Sequence, residues 1–133
     1  MFLAQLNANQ KQAFLSIAIQ LITADGVLDA TEQVLFDTMC TEMRIATTLN
    51  EIAPEIDFAA LPHVFETQTL RHQILLEVLS LAYADNEFQE EEQVLVQKLA
   101  EVFSISAEKV TALEAWLKRY LAACQEIQQL CAA

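Results

Sequence analysis

The sequence predicts an all-α single domain of about six to seven helices, and three observations carry that prediction. One glycine and two prolines in 133 residues leave little material for the many turns of a β-sandwich. Hydrophobic residues make up 54% of the chain and mean hydropathy is +0.28, which excludes disorder and suits one fully packed core over residues 1–133. The third is a duplication: "TADGVLDATEQVL" at residues 23–35 returns sixty positions later as "YADNEFQEEEQVL" at residues 83–95.

The offset extends beyond these stretches. Phe14 and Leu15 align with Ile74 and Leu75, Leu21 with Leu81, Met39 with Leu99, Met43 with Phe103, and Ile45 with Ile105. Each unit, about 9–45 and 68–105, therefore reads as a helix, an acidic turn and a second helix. The first helices (about 9–24 and 68–84) are apolar on nearly every side, as expected of central, buried elements. The second helices (about 30–44 and 90–103) carry one apolar stripe, marked in the first unit by Leu35, Met39 and Met43. Between the units, Pro54 and Pro62 predict one or two short helices joined by bends. Ser106 is the expected N-cap of a final helix at about 107–130. Val110, Leu113, Trp116, Leu117, Tyr120, Leu121, Cys124 and Ile127 read as one continuous apolar stripe along it.

The turns concentrate the chemistry. Gly26, the only glycine, follows Asp25, and Asn86 follows Asp85 at the matching place. Glycine and asparagine are the residues that best end a helix in the left-handed region, so both turns are expected to share one shape. Asp29 and Glu32 have capping-box spacing, a structural role worth about 1 kcal/mol. Gln89 is a poorer cap, yet Glu92 holds the place equivalent to Glu32. Asp25 and Asp85 fall at helix C-termini, where the dipole disfavours acids by ~0.3–1 kcal/mol. Two offsets present themselves. One is an Asx-type turn in which the carboxylate accepts from loop amides. The other is a divalent cation shared by Asp25, Asp29, Glu32, Asp85, Glu87 and Glu92. Hard oxygen donors on turns suit Ca²⁺, or Mg²⁺, over softer metals. The spacing copies the second half of an EF-hand loop, but Leu21, Thr23, Leu81 and Tyr83 occupy its first ligand positions, so a true EF-hand is rejected.

The two segments "ADGVLDATEQVLFDTM" and "YADNEFQEEEQVLVQKLAEVFSIS" resemble the paired signature segments of the tellurite-resistance TerB family and the broader TerB-like superfamily. The resemblance runs from about residue 12 to 105, and Asp25, Glu32, Asp85 and Glu92 match its Asp-Gly-x-apolar-x-x-x-Glu pattern. It implies an all-helical fold and shared acidic residues that bind metal. It also implies a link to tellurite or general stress resistance, with partners among other tellurite-resistance or membrane-associated proteins. Asn86 departs from the pattern's second glycine, and no basic N-terminal extension is present. Membrane-anchored J-domain co-chaperones carry a similar domain, but the chain has no His-Pro-Asp triplet.

Charge narrows the partners. The formal charge is −12, with fifteen acids between residues 12 and 97 against Arg44 and Arg71, whereas four cations balance four acids from Lys98 onward. Such a field repels nucleic acid and anionic lipid and attracts cations or basic surfaces. The apolar runs fall short of the ~18–20 residues of a membrane span, and no signal-peptide pattern opens the chain, so a cytoplasmic location is expected without direct membrane insertion. Cys40, Cys124 and Cys131 match no metal or redox spacing and read as free, core-packed thiols. His63 and His72 have no zinc spacing, and there is neither a nucleophile elbow nor a glycine-rich phosphate loop. The expected function is a non-catalytic acidic domain that binds a divalent metal or a basic protein partner. The rival is a metal-free interaction scaffold that docks, or self-associates, through the final helix. A metal-assisted hydrolase stands third.

Overall fold

The computed structural model describes residues 1–24, 30–47, 51–84 and 90–133. Among them the fold is all-helical, with no strand. The α-helices are α1 (Ala8–Ile22), α2 (Ala30–Met43), α3 (Leu61–Val64), α4 (Gln68–Ala82), α5 (Glu90–Val102) and α6 (Ala107–Cys131), with 3-10 turns at Leu3–Gln5 and Phe58–Ala60.

Local sequence explains where the helices start. Asn7 caps α1 in a full capping box: its side chain accepts from the Gln10 amide, and Gln10 accepts from the Asn7 amide, both at 2.9 Å. Thr67 caps α4 through a 3.1 Å bond from the Leu70 amide, and Ser106 caps α6 through a 3.1 Å bond from the Lys109 amide. Pro62 falls in the first turn of α3, where its missing N–H costs no helical bond.

α1 and α4 form the centre and pack most extensively on each other. α1 buries Phe14, Leu15, Ile17, Ala18, Leu21 and Ile22. α4 contributes Ile74, Leu75, Val78, Leu79 and Leu81 to the same core. α2 and α5 lie outside this pair, each burying one stripe: Phe36, Met39, Cys40 and Met43 on α2, and Leu95, Val96, Leu99 and Ala100 on α5. Leu35 is only partly buried, so the stripe on α2 is centred one residue further round than the sequence suggests. Phe103 meets Phe65 edge to face at 5.9 Å, tying the end of the second unit to the connection between units. α6 packs on α4 and buries only Leu117 completely.

The two helix pairs carry matching ends. α1 and α4 close on Thr23 and Tyr83, whose amides donate to Ile19 and Leu79, each at 3.0 Å. α2 and α5 end in the same six-residue C-cap: Ile45 donates to Cys40 at 3.0 Å, and Ile105 to Ala100 at 2.8 Å. The left-handed residue in each cap is Arg44 (φ 58°) or Ser104 (φ 55°), again sixty positions apart. Neither is a glycine, and each costs roughly 1 kcal/mol in that conformation. Gly26 and Asn86, the sequence candidates for positive φ, lie outside the described residues.

Two expectations are corrected. Cys40 is buried and Cys124 half-buried, but Cys131 is exposed, so core packing does not account for it. The apolar stripe of α6 is not one surface. It divides into a seam that meets the core, through Val110, Leu113, Leu117 and Leu121, and a seam that faces solvent, on which Trp116, Tyr120 and Ile127 are exposed.

Candidate functional site

Of the six carboxylates expected to hold a metal, Asp25, Asp29, Asp85 and Glu87 lie outside the described residues. Glu32 and Glu92 are described, and they occupy matching places. Each stands at the third position of its helix, α2 or α5, and each is 5% exposed. The positive end of a helix favours an acid there by ~0.3–1 kcal/mol. That term alone is too small to bury a carboxylate, which requires polar partners, and both side chains have them. Both are thus fixed at the rim of the core immediately after the turns.

The flanks of the two turns border one groove. A cavity of about 430 Å³ is lined by Gln20, Ala24, Phe58, Glu91, Val94 and Lys98. Ala24 is the last described residue before Asp25, and Glu91 is the second residue of α5, which follows the other turn. The Lys98 ammonium stands 4.1 Å from the Phe58 ring centroid, a cation–π contact that holds this cation at the wall of the groove. Among the described residues, no three His, Cys, Asp or Glu side chains are grouped to hold a metal ion.

A second groove, of about 460 Å³, runs between α5 and α6 beside the second turn and is lined in part by Tyr83, Gln93, Gln97, Thr111 and Glu114. Tyr83 ends α4, and its hydroxyl donates to Glu114 Oε2 at 3.0 Å. Burial, reinforced by that bond and the Glu114 charge, pushes the Tyr83 phenol up to about 12. The Lys118 ammonium lies 5.6 Å from the Tyr83 ring centroid. The groove offers amides, hydroxyls and two carboxylates, Glu101 and Glu114, with no paired nucleophile and base among its lining residues.

Among the described residues the most buried charged group is one that sequence reasoning missed. Glu77, 2% exposed on the otherwise apolar α4, accepts from the Met1 ammonium and from the Phe2 amide, both at 2.7 Å. Glu42 on α2 accepts from the same ammonium at 3.1 Å and from the Leu3 amide at 2.8 Å. Two carboxylates from different helices therefore clamp the first three residues and cover Leu3, which is fully buried. The sequence signal was a lone Glu within "ILLEVLSLA", with nothing local to name its partner. Among the described residues no buried side-chain nitrogen or oxygen lacks a hydrogen-bond partner, and no helix is long and apolar enough to cross a membrane.

No family model, no curated protein and no solved structure matches the chain.

Proposed function

We propose that the chain is a non-catalytic TerB-like binding domain. Its two acidic turns together hold a divalent cation, calcium before magnesium, and through it or in its place the basic surface of a protein partner. The tellurite- or stress-resistance role that the resemblance implies belongs to the same reading. The observation that carries the reading is the shared groove: the segment entering the first turn and the helix leaving the second turn line one cavity. Carboxylates that share one site repel one another by ~1 kcal/mol per pair at 4 Å even in water. A divalent cation between them relieves that repulsion and stabilises the native state by mass action. Oxygen-only donors suit Ca²⁺, which tolerates irregular coordination better than Mg²⁺.

The test is thermal denaturation in millimolar calcium against sodium of equal ionic strength. The reading predicts a larger rise in melting temperature with calcium, and loss of the difference in the double variant Asp25→Asn/Asp85→Asn. Glu32 and Glu92 are left intact because their burial makes their replacement a change to the core. An equal response to sodium would reduce the effect to screening and overturn the metal reading.

A further inference from the structure

α6 is 25 residues long, about 37 Å at 1.5 Å per residue, and the core accompanies it only as far as Leu121. Val110, Leu113, Leu117 and Leu121 face the core, with Leu117 fully buried and the others half-buried. Every residue after Cys124 is exposed. Beside the core-facing seam runs a second one: Trp116, Tyr120, Ala123, Ile127 and Leu130, spaced four, three, four and three apart. That alternation is the one by which two helices interlock. Its large members are exposed, Trp116 by 39%, Tyr120 by 41%, Ile127 by 55% and Leu130 by 72%. Trp116 and Tyr120 stack at 5.3 Å with their planes 8° apart, presenting a flat aromatic step. A solvated helix end would ordinarily be charged, yet residues 122–133 contain a single charge, Glu126.

We propose that this outer seam is a homodimerisation surface, on which two copies of the chain pair their α6 helices antiparallel. Three features select a second copy as the occupant. First, α6 carries three acids (Glu108, Glu114, Glu126) and three cations (Lys109, Lys118, Arg119), so the net charge of −12 resides in the rest of the chain. α6 is the helix along which two such copies approach with least repulsion, whereas a basic partner is drawn to the acidic body. Second, the charges that flank the seam complement themselves. Arg119 and Glu126 stand one residue before Tyr120 and Ile127, and in an antiparallel pair these flanking positions face each other. Arg119 then meets the partner's Glu126, and Glu126 meets the partner's Arg119. A parallel pair would set them against uncharged Cys124 and Cys131. Third, the same register matches size: Tyr120 falls against the partner's Ala123 and Ile127 against the partner's Trp116. The arrangement is isologous and closes at two. It also lays the uncovered end of each helix beside the anchored half of the other.

The inference is independent of the acidic turns and of any metal. A four-turn helix pair is small beside the ~1,200–2,000 Å² of stable interfaces, so the dimer is expected to dissociate on dilution. Sedimentation velocity over a concentration series tests this in the absence of calcium. The wild type should shift from monomer to dimer as concentration rises. Ile127→Glu should be monomeric throughout with unchanged circular dichroism, since Ile127 makes no core contact. Arg119→Glu should weaken association about tenfold, as two exposed ion pairs are lost together. Adding Glu126→Arg to it should restore the wild-type curve. A wild type that stays monomeric across the series, or a dimer indifferent to these variants, overturns the proposal.

Discussion

Replacing Glu77 by glutamine keeps the volume of the α4 core and removes the charge that holds the N-terminal segment. The buried carboxylate makes two bonds of 2.7 Å, one to the Met1 ammonium and one to the Phe2 amide. Bonds to charged groups are worth ~1.5–3 kcal/mol when fully buried. The ammonium is partly exposed, so its share falls toward the ~1 kcal/mol of a surface pair, and glutamine can still accept from Phe2. The expected loss is therefore about 1–2 kcal/mol, or roughly 3–8 °C in melting temperature for a domain of this size. Burial lowers the pKa of the Met1 amine, but the hydrogen bonds and charges of Glu77, and then of Glu42, more than offset it, so the value stands above its ordinary 8.0. A group whose folded pKa is raised contributes stability that is complete below pH 8.0 and is lost as pH rises through the folded value. Urea denaturation of wild type and Glu77→Gln between neutral and mildly alkaline pH should thus give curves that converge as pH rises. Acetylating the amine should produce a similar loss that does not add to that of Glu77→Gln. A variant as stable as wild type, or a gap that does not narrow with pH, would refute the clamp.

Two further expectations concern helix ends. Ser104→Gly and Arg44→Gly, at φ 55° and 58°, should each stabilise the fold by ~0.5–1 kcal/mol by removing left-handed strain, and a loss of stability on denaturant titration would contradict the assignment of those caps. Tyr83, pushed up to about 12 by burial and then by Glu114, should stay protonated past pH 10 in an absorbance titration. Stability should fall from pH 10 toward 12, because the unfolded state releases that proton first, and Tyr83→Phe should remove this component of the fall.

The sequence was most legible where local chemistry and period agreed. The aligned residues Phe14 and Ile74, Leu15 and Leu75, Leu21 and Leu81, and Met43 and Phe103 are all buried at matching places, and only Ile45 of Ile45 and Ile105 is half-buried. Helix periodicity alone selects such positions. The Ser106 cap was also readable, whereas Asn7 was passed over although Gln10 three residues later completes a capping box. The C-caps of α2 and α5 carried no signal, since Arg44 and Ser104 are not residues that announce positive φ. Glu77 was unreadable for a different reason: its partner lies 76 residues away in sequence, and no local pattern encodes a long-range pair. On α6 the sequence displays all its apolar positions but not where the core stops, and that boundary decides which of them are buried. At the turns, the pattern singled out Glu32 and Glu92 without revealing that both are buried.

The proposed function requires the two acidic turns to act as one cation site, and calorimetric titration of calcium into the metal-free protein tests it most directly. It predicts saturable heat with a defined stoichiometry per chain in wild type, and none beyond dilution in Asp25→Asn/Asp85→Asn, whose circular dichroism should match that of wild type. Heat of dilution alone in the wild type, or the same binding curve in the variant, would contradict it.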